Sequence, residues 1–554
     1  MIDDLVDRVT AWIADDPDEN DRETLELLLR DGPRDELARR FAAPLTFGTA
    51  GLRGPVMAGP AGMNRLTVRR ATQGVVAWLA AGSVDASRGV VVGRDARRGS
   101  EAFNDEVVRV LLGAGIDVYE MPGPLPTPLV AYAVKALGAA AGVMITASHN
   151  PREDNGYKLY DASGSQIIAP DDEVVERFAA AATRPQLAER TDAHYHRVAP
   201  SVLEAYARHA TTRFAAPGES RLAIVYTPLH GVGGATMASL FREAGYRAVT
   251  PVAEQFEPDG RFPTLALPNP EEPGALDRAL ARAEDVGADL VLANDTDADR
   301  LGAAVRDRDG WRVLRGGEIG WLLASTLLAA AGPNDVVATT IVSSSLLEAM
   351  ARDAGVDCVV TLTGFKWLGR AAGQRTLAFG YEEALGYAVD PRVADKDGLT
   401  AALALAQLAD ELASRGETLL DRLDAIERRY GVHAVDQLSI RVDGPDGQKR
   451  LAESVARLRE DPPRRLGGLA VTEVVDLATG WRGLAPTPGV IVVAPPARVV
   501  VRPSGTEAKL KAYLEVVGSP SDPRPLEVQR EAARGVLAMI RDELESRLAV
   551  PRID

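Results

Sequence analysis

Short apolar runs that stop in polar loops and are followed by helical stretches recur along this chain, and no other feature constrains its fold as tightly. Residues 89–93 (GVVVG) end at Arg94-Asp95 and lead to a helical stretch over 102–114. Residues 222–226 (LAIVY) precede a glycine-rich turn and a helix near 234–244, and 289–293 (DLVLA), 336–342 and 356–362 repeat the pattern. Buried strands alternating with helices predict α/β domains. The alternation predicts three α/β units near 45–210, 211–315 and 316–430. Before them, Leu5, Val9, Trp12 and Ile13 recur at helical spacing, so 1–44 reads as a helical extension. After 430 the texture changes: 437–442 and 498–502 read as strands and 525–548 as a long amphipathic helix. This predicts a smaller α+β domain over 431–554.

A chain of 554 residues has room for several such domains. Its net charge of −16 argues against a nucleic-acid partner, which needs basic surface. No apolar run reaches the roughly 18–20 residues of a membrane span, and the longest, near 321–332, has the length of a buried helix. The acidic, amphipathic first twenty residues do not read as a signal peptide. A single cysteine, Cys358, excludes an intramolecular disulfide and reads as a small buried hydrophobe. These features together predict a cytoplasmic protein without membrane partners.

Four segments carry chemistry. Thr146-Ala147-Ser148-His149-Asn150-Pro151 follows an apolar run, where ligands gather in α/β sheets. Ser148 is a candidate nucleophile, although the segment alone also reads as a capping turn. Asn294-Asp295-Thr296-Asp297-Ala298-Asp299-Arg300 follows the run at 289–293. In an extended segment residues two apart point the same way, so Asp295, Asp297 and Asp299 are expected to converge. Three such carboxylates repel unless a cation joins them, and hard oxygen ligands favour Mg2+. An EF-hand is excluded, since its sixth and twelfth positions would be Arg300 and Arg306. Arg502-Pro503-Ser504-Gly505-Thr506-Glu507, with Lys509 and Lys511 beyond, has the composition of a phosphate cradle. Gly380-Tyr381-Glu382-Glu383-Ala384-Leu385-Gly386-Tyr387 offers carboxylates to sugar hydroxyls, or is a surface turn.

Together, and in the chain order of serine loop, metal loop, sugar loop and phosphate loop, these segments resemble the α-D-phosphohexomutase superfamily, which contains phosphoglucomutases and phosphomannomutases. The likeness runs from Thr46-Phe47-Gly48-Thr49-Ala50-Gly51-Leu52-Arg53-Gly54 to Lys511 and includes Gly93-Arg94-Asp95 and Asn155-Gly156-Tyr157-Lys158. It implies four domains around a central cleft, three of similar α/β topology with mixed sheets and a smaller α+β one. It implies a phosphoserine at Ser148, Mg2+ held by Asp295, Asp297, Asp299 and a Ser148 phosphate oxygen, and charge offset by Arg53 and Arg300. Proton transfer falls to Lys158 and His149, and sugar contacts to Glu382, Glu383 and Lys366. The non-reacting phosphate falls to Arg502, Ser504, Gly505, Thr506 and Lys509.

The implied reaction interconverts hexose 1- and 6-phosphates, glucose before mannose, with a hexose 1,6-bisphosphate as intermediate and activator. A phosphosugar is then the partner. Pentose phosphates stay open, because the Gly-Tyr-Glu-Glu form resembles the branch of type-2 phosphoglucomutases and phosphopentomutases. Ala384 and Tyr387 depart from the commoner Ser and His, which places the choice of sugar in doubt there. A metal-dependent phosphatase using the same serine is the competing class, and the oligomeric state stays open between monomer and dimer.

Overall fold

The computed structural model describes residues 2–48, 51–82, 84–182, 184–441, 447–503 and 509–548. Within them lie four principal sheets. The first places its strands in the order Leu52–Pro55, Asp154–Asp161, Ala141–Ile145, Val90–Arg94, Val118–Pro124, Tyr195–Arg197. Its last four strands are parallel, and Asp154–Asp161 runs antiparallel to both neighbours. In the second, Leu290–Asn294, Ile224–Thr227 and Val249–Pro251 are parallel, and Leu301–Asp307 and Gly310–Val313 add an antiparallel edge. The third is Asp357–Thr361, Asp335–Thr340 and Thr376–Glu382 in parallel, closed by an antiparallel hairpin to Gly386–Ala388. The fourth, from His433–Arg441 to Glu473–Asp476, is wholly antiparallel. Helix Leu526–Leu548 covers it with Ala533, Leu537, Ile540, Leu544 and Leu548.

The expected architecture of three α/β domains with mixed sheets and a smaller α+β domain is the one observed. The central parallel strands Val90–Arg94, Ala141–Ile145 and Leu290–Asn294 are buried along nearly their whole length because helices cover both faces, which is why runs such as 89–93 do not alternate. Three helices, Ile2–Asp15, Glu19–Asp31 and Arg34–Arg40, form the N-terminal extension. Val9, Trp12, Leu25, Leu37 and Phe41 close a small core of their own against Ala58 and Leu66.

One expectation is corrected and one reaches past the described residues. Cys358 is half-buried, because it lies on an edge strand with only one neighbour. Burial still pushes its thiol up to about 12. Residue 442, the end of an expected strand, lies outside the described residues. Among those residues no helix is long and apolar enough to cross a membrane.

Candidate active site

Three of the four chemistry-bearing segments lie at the carboxyl ends of parallel strands, where helix starts and turns leave backbone groups free to meet a ligand, while the Arg502 segment ends a strand of the antiparallel sheet. Ser148 follows Ala141–Ile145, the acidic loop follows Leu290–Asn294, and Glu382 ends Thr376–Glu382. Lys158 reaches the same point from the antiparallel strand beside the serine loop.

Ser148 is buried and has φ +53°, a left-handed conformation that a non-glycine residue adopts only when its surroundings impose it. The imposing group is Arg97. Its guanidinium donates to the carbonyls of Ser148, Asn150 (2.6 Å), Pro151 (2.7 Å) and Asp154 (3.1 Å), and faces Asp95 at 3.5 Å. Arg53 donates to Ala147 O (3.2 Å) and Asn150 Oδ1 (3.0 Å). Two guanidiniums therefore grip the loop. Ser148 Oγ donates to Asp295 Oδ2 at 2.6 Å and lies 3.1 Å from His149 Nδ1. Burial, then the charges of Arg300 and Arg53, pulls His149 well below its ordinary value, so its imidazole is neutral.

Asp295, Asp297 and Asp299 are buried, with one carboxylate oxygen from each within 4.8 Å of the others. The convergence has a different cause from the alternation expected. The loop is a tight turn, with Ala298 N donating to Asp295 O (2.9 Å) and Ala298 at φ +55°. Asn294 Nδ2, donating to Arg300 O at 2.6 Å, ties the two ends of the loop together.

Lys158 Nζ lies 2.7 Å from both Asp297 Oδ2 and Asp299 Oδ2, and Lys396 Nζ lies 3.3 Å from Asp299. Burial would push Asp297 and Asp299 upward, but Lys158, with the Thr127 hydroxyl, holds Asp297, and Lys158, Lys396 and Arg300 hold Asp299, below the usual carboxylate range. Asp295, with no lysine of its own, is pushed well above that range by burial and by its two acidic neighbours. Asp297 Oδ1 and Asp299 Oδ1 are buried and accept no hydrogen bond. Two orphaned hard oxygens beside a third carboxylate make a donor set that fits a divalent cation such as Mg2+.

The two glutamates of the Glu-Glu pair diverge, as neighbours at a strand end do. Glu382 feels Lys396, Arg300 and Asp299, although burial dominates and raises its pKa. Glu383 turns away and accepts from Ser344 N (3.1 Å), and burial pushes it up to about 7. Lys366 pairs with Asp172 of the first domain at 3.6 Å; it is its neighbour Phe365 that lies under the Lys396 ammonium, 5.3 Å away. Tyr387 is fully buried and donates to Gly316 O (2.9 Å), so it faces the core and not a sugar.

Arg502 and Lys509 lie at the ends of adjacent strands, and Lys511 pairs in register with Arg502. Ser504, Gly505 and Thr506 lie outside the described residues, as do Thr49 and Ala50. Burial and then the charges of Lys509, Arg300 and Arg502 lower the Lys511 ammonium, which marks a cationic edge facing Arg300.

Lys396 and Arg97 belong to the site but were not anticipated. Lys396 sits in Asp395-Lys396-Asp397 before helix Gly398–Ala413. Tyr160 and Gln166 of the first domain fix Asp395 at 3.0 and 2.9 Å. Gly398 lets this loop approach, since a Cβ there would meet Arg300 O at 2.2 Å. An alternating charged tripeptide before an apolar helix was the available signal.

The comparisons agree with this architecture. Models described as phosphoglucomutase/phosphomannomutase, alpha/beta/alpha domains I, II and III, match residues 44–185, 204–310 and 315–430. A probable phosphomannomutase of Haemophilus influenzae is 37% identical over 87% of this chain and 98% of its own length. The phosphopentomutase of Homo sapiens is 33% identical over 95% of this chain and 94% of its own. A crystal structure of a putative phosphomannomutase from Thermus thermophilus superposes with a TM-score of 0.69 at 25% identity, covering 91% of this chain and 99% of that one. The chain belongs to the phosphoglucomutase/phosphomannomutase family.

Proposed function

We propose that the chain is a phosphosugar mutase that interconverts hexose 1-phosphate and hexose 6-phosphate, glucose phosphates first. Ser148 carries the phosphoryl group and a hexose 1,6-bisphosphate is the intermediate and activator. The observation that carries this reading is the seating of Ser148. Its Oγ is 2.6 Å from Asp295, inside a buried acidic triad, on a loop gripped by two guanidiniums.

Phosphoryl transfer asks mainly for positioning and charge neutralisation. Asp295, Asp297 and Asp299, with an oxygen on Ser148, would hold Mg2+, which supplies part of that neutralisation when bound. Arg53, Arg300, Lys158 and Lys396 supply the rest. In the first half-reaction the P–Oγ bond of phospho-Ser148 breaks as a sugar hydroxyl oxygen bonds to phosphorus. His149 is neutral and accepts the hydroxyl proton. Lys158 is held as an ammonium by Asp297 and Asp299, so it acts as a donor. The bisphosphate then turns end for end, and its other phosphate returns to Ser148.

Arg502, Ser504, Gly505, Thr506 and Lys509 would grip whichever phosphate is not reacting, and that binding energy orients the reacting hydroxyl. Glu382 beside Lys396 is the best placed of the sugar-contacting candidates, while Glu383 and Lys366 shape the loops around it. A hydrolase would need no second phosphate grip, which weighs against the phosphatase reading. Mannose and pentose phosphates suit the same machinery. The test is a coupled assay of glucose, mannose, glucosamine and pentose 1-phosphates with Mg2+ and a trace of hexose 1,6-bisphosphate. Conversion of glucose phosphate with the highest kcat/KM is expected, and Ser148→Ala should lose several orders of magnitude. Failure to convert any of them would overturn the reading.

A further inference from the structure

We propose that Glu515 is a positioning residue. It pins the C-terminal sheet to the loop after strand Asp335–Thr340, and so sets where the cationic edge of that sheet stands relative to Glu382. The inference rests on the phosphosugar-mutase reading and deepens it.

Glu515 is buried on strand Lys509–Val517. Lys509, Lys511, Tyr513 and Glu515 are spaced two apart, so they share one face of that strand. The carboxylate reaches into the third domain. Oε1 accepts from Ser344 Oγ (2.7 Å), Ser345 N (2.8 Å) and Ser345 Oγ (3.1 Å), and His433 Nδ1 lies 3.0 Å away. Oε2 lies 3.2 Å from Arg498, whose guanidinium also donates to the carbonyls of Ile341 (3.2 Å) and Ser343. One turn of the third domain is thus held through its donors by Glu515 and through its acceptors by Arg498. The same turn holds the sugar loop, because Ser344 N donates to Glu383 Oε1 at 3.1 Å, one residue from Glu382. A single short loop joins the C-terminal sheet to the Glu-Glu segment.

Away from this pin the C-terminal domain also meets the third domain, through Arg530 with Asp424 (2.6 Å) and Arg315 with Val435 O (2.7 Å). On one side of the pin Ile341 and Val342 pack on Leu477, Ile491 and Val500. On the other a cavity of about 500 Å3, lined by Glu271, Arg315, Val435, Gln437 and Tyr513 among others, leaves the sheet room to tilt. From Glu515 to Lys511 is four residues, or ~13 Å of strand. A tilt of ~10° about Glu515 would therefore move Lys511 by ~2 Å. That exceeds the width of a hydrogen bond's distance range, roughly 2.7–3.2 Å. The pin must be a carboxylate: only acceptor oxygens suit so many converging donors, and an amide would present two N–H groups among them.

The test uses the full chain with Mg2+, a trace of hexose 1,6-bisphosphate and glucose 1-phosphate. Kinetics are paired with the distance between nitroxides on Gln374→Cys and Arg464→Cys in a Cys358→Ser background. Glu515→Gln is expected to raise KM at least tenfold and to broaden the interdomain distance distribution, with Glu515→Asp recovering part of both. Ser344→Ala removes one donor and should raise KM about threefold; it carries the test if Glu515→Gln does not fold. An unchanged distribution overturns the proposal, whatever happens to melting temperature, and so does a KM within twofold of wild type. If the parent chain converts no sugar phosphate, the functional reading fails, while the distance measurement still decides the pinning.

Discussion

Arg97 is where a single substitution should reveal how the serine loop is held. The guanidinium is buried, supplies four hydrogen bonds to loop carbonyls, faces Asp95 at 3.5 Å and lies 4.9 Å over the Phe262 ring. Hydrogen bonds from a charged donor contribute about 1.5–3 kcal/mol each, so four would sum to roughly 6–12 kcal/mol. They act as one unit, and the loop can admit water, so the sum overstates the loss. The better guide is the cost of stranding the partner of a buried ion pair, about 3–5 kcal/mol.

Burial already pushes Asp95 upward, and Arg97 is the largest influence opposing it. Arg97→Met should therefore lower the melting temperature by roughly 6–20 °C, at about 2–4 °C per kcal/mol for a large domain. It should also reduce Ser148 phosphorylation by hexose 1,6-bisphosphate, read by intact-mass spectrometry. Adding Asp95→Asn to Arg97→Met should restore at least about 1 kcal/mol, because the stranded charge is then gone. Arg97→Lys should recover only part, since an ammonium cannot span four carbonyls. A drop under 2 °C with phosphorylation unchanged, or strict additivity in the double mutant, would refute the reasoning.

Lys158→Met leaves Asp297 and Asp299 without their shared ammonium, so in EDTA the chain should lose about 3–5 kcal/mol. Added Mg2+ should raise the melting temperature of that variant more than that of the parent, and equal shifts would count against a metal role for the triad. Ala384→Ser should change the ratio of kcat/KM between glucose and pentose phosphates. Tyr387→Phe should leave the ratio unchanged and cost about 0.5–1.5 kcal/mol, because it removes one hydrogen bond to a Gly316 carbonyl that the helix still pairs. Acid should test Glu515: burial raises it, but His433 and Arg498 hold it at about 2 against a usual value of 4.5. A depressed carboxylate stabilises the fold above its unfolded pKa and loses that contribution as pH falls toward 2, here about 3 kcal/mol. The stability gap between the parent and Glu515→Gln, measured by urea unfolding, should therefore shrink between pH 7 and pH 3.

What the sequence determined by itself was local. Fully apolar runs mark strands covered on both faces, so the α/β domains and the loops at their carboxyl ends were legible, and with them Ser148 and the three aspartates. Alternation within one segment was legible too, but it supplied the wrong reason for the triad, which converges through a turn at Ala298.

Only the tertiary structure decided the rest, because it depends on contacts between residues far apart in the chain. Lys158 meets Asp299 across 141 positions, and Tyr160 fixes the Asp395–Lys396 loop across 235. The same side-chain spacing that is ambiguous in the chain is settled by packing. Glu382 turns to the triad and Glu383 to Ser344, and Tyr387, one of the two positions where the sugar choice was expected, is committed to the core. A buried charge needs a partner wherever the fold can supply one. That requirement, more than any motif, assembles Arg97, Lys158, Lys396 and the aspartates into one site.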